Sequence, residues 1–122
     1  MCSSDLDDGA IVLLSSALAL VSAPRMAVYA ASKAAIHSVA RSLRAELDGQ
    51  VKVFDVLPPW VESELSHAIR GAKVTPDHVA VEIVAGLRKE RFEIRVGRIR
   101  QLAVIARISS KLADSIAARA TG

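Results

Sequence analysis

The chain has 122 residues, 52% of them apolar and 3% aromatic, so it holds one domain at most, packed mainly by Ala, Val, Ile and Leu. Its formal charge is +3, and its basic residues collect between Arg88 and Lys111 with Phe92 as the one aromatic among them, too few stacking rings for a nucleic-acid surface. The single cysteine, Cys2, excludes an internal disulfide and a cysteine-built metal site.

The head Met1-Cys2-Ser3-Ser4-Asp5-Leu6 resembles the translation of a sequencing adapter and is set apart from the fold, leaving residues 7–122 as a partial domain; a short natural polar tail is the alternative. The apolar run from Gly9 to Ala23 falls short of the roughly 18–20 uninterrupted residues a membrane span needs, because Ser15, Ser16 and Ser22 break it. Asp5, Asp7 and Asp8 precede it, where an export signal carries positive charge. The expectation is a cytoplasmic protein without a membrane partner.

Ala10–Leu14 is a continuous apolar run, the mark of a strand in a parallel sheet covered on both faces. After a loop containing Pro24, residues Ala27 to Leu47 turn helical, with Ile36, Val39, Ala40, Leu43 and Leu47 on one stripe and Arg41, Arg44 and Glu46 between them. Asp48-Gly49 supplies the stop. Val51–Leu57 is a second strand, ended by Pro58-Pro59. Trp60 to Lys73 has weak periodicity and suggests a loop with a short helix. Thr75-Pro76 caps a helix lined by Val79, Ile83 and Leu87 and ending near Lys89. Phe92–Val96 is a third strand, closed by Gly97, and Leu102, Ile105, Ile108, Leu112 and Ile116 form the stripe of one last amphipathic helix. Alternating strands and helices predict an α/β fold: half of a doubly wound, Rossmann-type domain, three parallel strands with covering helices.

Tyr29 and Lys33 stand four apart near the start of a helix, on one face. A free phenol titrates near about 10, and an adjacent ammonium favours the phenolate, so such a pair can move a proton at an alcohol or carbonyl oxygen. The spacing alone is common by chance. Ser16 adds weight: it lies thirteen residues before Tyr29, at the C-terminal end of a buried strand, where functional groups of open α/β sheets gather. Its hydroxyl can donate to a developing oxyanion. Ser15 competes for that role, and the interval favours Ser16.

Together, Ile11-Val12-Leu13-Leu14-Ser15-Ser16, Tyr29-Ala30-Ala31-Ser32-Lys33 and Val53-Phe54-Asp55-Val56-Leu57-Pro58 resemble the second half of a short-chain dehydrogenase/reductase. The resemblance implies an NAD- or NADP-dependent oxidoreductase acting on a small-molecule alcohol or carbonyl substrate, with a homo-oligomeric parent. It assigns Tyr29 as general acid–base, Ser16 as the residue that positions the carbonyl, and Lys33 as the partner that tunes Tyr29; Tyr29 and Lys33 also contact the cofactor. The segment Pro58-Pro59-Trp60-Val61-Glu62-Ser63 resembles the family's proline-glycine turn, which places Pro59, Val61 and Ser63 at the nicotinamide end. Here Pro59 replaces the usual glycine, and Ser63 stands where threonine is common. The double proline, Ile36-His37-Ser38 and Glu93-Ile94-Arg95-Val96-Gly97 are similar to the DltE-like oxidoreductases.

Two departures bear on function. No two of Gly9, Gly49, Gly71, Gly86, Gly97 and Gly122 are close enough to form the glycine-rich turn that cradles a pyrophosphate, and the family's active-site asparagine is missing. The resemblance therefore implies an active parent and an inactive 122-residue piece; a non-catalytic half-domain acting as an interaction module is the competing reading. A basic amphipathic segment from Arg98 to Arg119 could also lie on a membrane, but packing on the sheet explains its stripe as well. His37 is expected as a packed helix residue more than a site residue, His67 and His78 lack paired ligand spacing, and Trp60 either covers the pocket or packs on a helix.

Overall fold

The computed structural model describes residues 9–62 and 73–121. Strand β1 (Ala10–Leu14) leads through a 3-10 turn (Ala17–Ala19) to helix α1 (Ala27–Leu47) and strand β2 (Lys52–Leu57). Helix α2 (Pro76–Arg88), strand β3 (Glu93–Arg95) and helices α3 (Ile99–Ile108) and α4 (Ser110–Thr121) follow. The sheet has the order β1-β2-β3 and is parallel throughout: Leu13 is in register with Asp55, and Val56 with Ile94. Each crossover from strand to parallel strand runs through a helix, as the alternation predicted.

Local chemistry explains the boundaries. At the end of α1, Asp48 and Gly49 both adopt left-handed backbone (φ 43° and 82°), a conformation glycine takes without steric cost. Thr75 caps α2, its hydroxyl oxygen accepting from the His78 N–H at 3.2 Å, and Pro76 occupies the first turn, where its missing N–H costs nothing.

β2 is the buried centre. Phe54 and Val56 face α2 and pack with Val79, Ile83, Leu87 and Ile94. Its opposite face meets α1, and there the inward stripe differs from the expected one. Val39 is exposed, while the line Lys33, His37, Ala40 and Arg44 turns to the sheet. Arg44, expected between apolar positions, donates from Nε to the Val53 carbonyl at 3.2 Å and from Nη2 to the Phe92 carbonyl at 3.1 Å, its guanidinium lying 5.0 Å from the Phe92 ring centroid. A long cationic side chain can serve as core here because its stem packs while its donors meet strand carbonyls.

Further expectations need correction. β1, expected as a buried strand covered on both faces, consists of exposed and half-buried residues only, because no neighbour covers its outer side among the described residues. The third strand is Glu93–Arg95, shorter than Phe92–Val96. The final helix is two: Ser109 takes extended backbone between α3 and α4, which breaks the stripe and leaves Ile108 82% exposed while Ala103, Ala113 and Ala117 are buried instead. Most of the segment from Trp60 to Lys73, with Ser63, lies outside the described residues. No helix among the described residues is long and apolar enough to cross a membrane.

Candidate active site

At the C-terminal ends of β1 and β2 the chain encloses a cleft of about 620 Å³. Ser16, Tyr29 and Lys33 line it, with Pro59, Trp60 and Val61 from the segment after β2 and Val79 and Ile83 from α2. Its place follows from the topology, since the carboxyl ends of parallel strands leave a crevice where their connections part. Of the sequence-predicted site residues, Ser16, Tyr29, Lys33, Pro59 and Val61 meet here.

Ser16 begins the 3-10 turn, and its Oγ accepts from the Leu18 N–H at 3.2 Å. That bond sets the side chain at the strand end, as an N-cap does. Tyr29 sits in the first turn of α1, 40% exposed, its ring stacked on Trp60 at a centroid distance of 6.4 Å and an interplanar angle of 21°. Trp60 therefore does both things expected of it: it lines the cleft and packs on the adjacent helix α1. One turn on, Lys33 donates from Nζ to the Leu14 carbonyl at 3.1 Å and lies 5.7 Å from the Tyr29 ring centroid. An ammonium has three donors, so two remain for the cleft.

The two serines part company. Both are buried and both line the cleft, but Ser15 donates from Oγ to Asp55 Oδ1 at 2.5 Å, which leaves Ser16 as the serine whose proton the carboxylate does not take. The Asp55 carboxylate is 0% exposed and accepts a second bond, from His37 Nδ1 to Oδ2 at 2.5 Å. A buried carboxylate persists only where donors surround it. Its position inside the apolar run Val53–Leu57 was the available signal, because a charge in a fully buried strand requires a partner. His37 is packed, as expected, but against this carboxylate.

Chemically the cleft offers a phenol, an ammonium and a hydroxyl around a space walled by proline, tryptophan and aliphatic side chains. A second recess, about 710 Å³ between residues 18–24 and α1, offers little by comparison. Its carboxylate, Asp114, already accepts from the Ser22 N–H at 2.8 Å.

Residues 2–73 match the family model described as short chain dehydrogenase. Among curated proteins, 11-beta-hydroxysteroid dehydrogenase 1A of Arabidopsis thaliana is 48% identical over 59 residues, which is 48% of this chain and 17% of that protein. The 11-beta-hydroxysteroid dehydrogenase A of Arachis hypogaea is 40% identical over 58 residues, again 48% and 17%. Among solved structures, a short chain dehydrogenase from Burkholderia cenocepacia J2315 in complex with NADP has a TM-score of 0.83 at 28% identity, covering 94% of this chain and 48% of that one. A short chain dehydrogenase/reductase from Burkholderia phymatum in complex with NAD has a TM-score of 0.73 at 21% identity, covering 98% and 52%, a likeness of fold alone. The chain thus spans about half the length of these solved relatives.

Proposed function

Because the chain belongs to the short-chain dehydrogenase family, we propose that its cleft is the reacting half of a nicotinamide-dependent oxidoreductase for alcohol and carbonyl compounds. The observation that carries this is the meeting of Ser16, Tyr29 and Lys33 in one cleft at the strand ends. The residues present suit the nicotinamide end of a cofactor: Lys33 keeps free donors for hydroxyls, and Pro59, Trp60 and Val61 form a flat apolar wall. A nicotinamide cofactor, NAD or NADP, supplies or accepts the hydride when bound.

The chain's own residues handle the oxygen. Ser16 donates a hydrogen bond to the substrate oxygen, keeping its own proton, and holds that oxygen beside Tyr29. In the reducing direction the Tyr29 phenol gives its proton to that oxygen; in the oxidising direction the phenolate removes it. The Lys33 ammonium beside the ring favours the phenolate, and its bond to the Leu14 carbonyl keeps it there. Trp60 stacks on one side of the ring and gives a ligand an apolar wall beside the exchange.

Residues 7–122 are, on this reading, part of a Rossmann-type domain, with residues 1–6 a non-native head. One observation favours a non-catalytic role for the 122-residue polypeptide by itself: no two glycines stand close enough for a pyrophosphate cradle. The test is to express the protein from its complete genomic reading frame and follow oxidation of NADH and NADPH with a panel of ketones and aldehydes. Turnover that is abolished by Tyr29→Phe is expected; no turnover with either cofactor, or a Tyr29→Phe variant as fast as the parent, overturns the reading.

A further inference from the structure

Beneath the cleft, two side chains share the carboxylate of a third, Asp55 in β2. Ser15 at the end of β1 donates to Asp55 Oδ1, and His37 of α1 donates from Nδ1 to Oδ2, both at 2.5 Å. The order excludes a hydrolase triad: both donors converge on the acid, so no base faces the Ser15 hydroxyl, which is also buried. What the arrangement does is join backbones. Ser15 also donates from its N–H to the Val56 carbonyl at 2.9 Å, so side chain and main chain both tie it to β2. His37 follows Lys33 by one turn on the same inward face.

We propose that Ser15, Asp55 and His37 are positioning residues that set the separation between α1, which carries Tyr29 and Lys33, and the end of β1, which carries Ser16 and the Leu14 carbonyl. The role rests on the reading of Ser16, Tyr29 and Lys33 as the reacting groups. Ser15 stands between Leu14 and Ser16 in the chain, so a carboxylate that grips Ser15 fixes the residue on either side: one holds Lys33, the other faces the substrate oxygen. The same carboxylate grips the helix one turn beyond Lys33. Asp55 is central in β2, paired with both Leu13 and Glu93, and makes a stiff anchor. Groups held by packed, hydrogen-bonded supports keep reacting geometry within a fraction of an ångström, and slack of about 1 Å can cost roughly 100-fold in rate.

The experiment uses the protein expressed from its complete genomic reading frame, with His37→Ala, His37→Asn, Ser15→Ala, the Ser15→Ala/His37→Ala double variant and Tyr29→Phe. His37→Ala and Ser15→Ala are each expected to lower kcat roughly 10–100-fold while cofactor Kd stays within about 3-fold. His37→Asn, whose amide nitrogen can stand where Nδ1 stood, should recover kcat to within about 3-fold of the parent. The double variant should be little slower than the worse single one, as residues acting as one device are not additive. A merely structural role would lower the melting temperature without this split between kcat and Kd or the rescue. If His37→Ala does not fold, Ser15→Ala, which keeps the Asp55–His37 pair, carries the test. Both alanine variants at parental kcat while Tyr29→Phe is dead overturns the positioning role and leaves the function standing, and so does His37→Asn as slow as His37→Ala. Parent and Tyr29→Phe alike without turnover removes the function, and this role with it.

Discussion

Lys33 Nζ donates to the Leu14 carbonyl at 3.1 Å while lying 5.7 Å from the centre of the Tyr29 ring. One side chain thus spans from helix to strand end and stays next to the phenol. Lys33→Met keeps the stem and removes the charge and the donors. We expect it to lower kcat roughly 100-fold or more in the protein expressed from its complete reading frame, comparable to loss of a general acid–base group. Steady-state kinetics on parent and variant decide this, and Lys33→Met at parental kcat would detach the lysine from the proton transfer.

Trp60 is the chain's one tryptophan and stacks on its one tyrosine. Its emission therefore reports on the cleft directly. A ligand entering beside Tyr29 should change Trp60 fluorescence in a saturable way, and Tyr29→Phe, which keeps the ring, should preserve the signal. Trp60→Ala should raise KM more than it lowers kcat, because it removes an apolar wall and no reacting atom. An emission spectrum indifferent to cofactor and substrate would place Trp60 outside the binding event.

Gly86 lies on α2 against β3. A Cβ there would meet Ile94 Cγ1 at 2.5 Å and Cδ1 at 2.6 Å, and Ile94 is itself buried with little room to give. Gly86→Ala gains helix propensity of about 1 kcal/mol but overpacks the core by more, so the net loss should be roughly 1–2 kcal/mol. Urea unfolding measures it; a variant as stable as its parent would show that Ile94 shifts freely.

Glu93 in β3 provides a pH test. Burial would raise its carboxyl, but the Arg95 hydrogen bond and charge, with His37 and Arg44 nearby, prevail and hold it below its ordinary 4.5. A carboxylate whose folded pKa is lowered adds stability above its unfolded value, and that contribution disappears as pH falls through the folded one. Glu93→Gln should therefore lower the melting temperature at pH near neutrality, with the gap from the parent closing in acid below the usual carboxylate range. A gap independent of pH would mean the glutamate acts by packing alone.

Among the described residues, β1 has a single strand neighbour, β2, and its Val12 and Leu14 are exposed. An apolar strand with an open edge invites another chain. The 122-residue polypeptide expressed alone should self-associate, and Val12→Lys should shift it toward monomer in sedimentation velocity. A cooperative monomer at high concentration would show that the edge is already guarded.

The sheet, its direction and α1 were legible because continuous apolar runs, a helical stripe and proline or glycine stops all agree at those places. That Tyr29, Lys33 and Ser16 meet at one cleft was legible through spacing combined with resemblance. Asp55 carried a signal in its apolar strand, but its partners Ser15 and His37 come from other elements and were not legible; nor was the inward turn of Arg44, since a hydrophobic stripe treats every charged residue as outward and cannot foresee a guanidinium spent on strand carbonyls. The break at Ser109 escaped for a related reason: Ile108 and Leu112 continue the spacing of a single helix although their side chains leave the core. Trp60 remained open until its ring was seen against Tyr29, a contact between segments that no local pattern encodes.

Ser16 Oγ receives the Leu18 N–H, which engages one of its two lone pairs and leaves its proton available to a partner in the cleft. Lys33 has only protons to offer. The site is therefore polarised toward ligands that arrive with lone pairs. On the proposed reading an alcohol and its carbonyl both qualify, because each oxygen would accept from Ser16 and still trade a proton with Tyr29. A protonated amine of the same shape brings donors where donors already stand, and carries a positive charge toward the Lys33 ammonium. On the proposed reading, hydrogen-bond polarity at a single strand end favours oxygen over a protonated nitrogen, before the size or shape of a ligand comes into play.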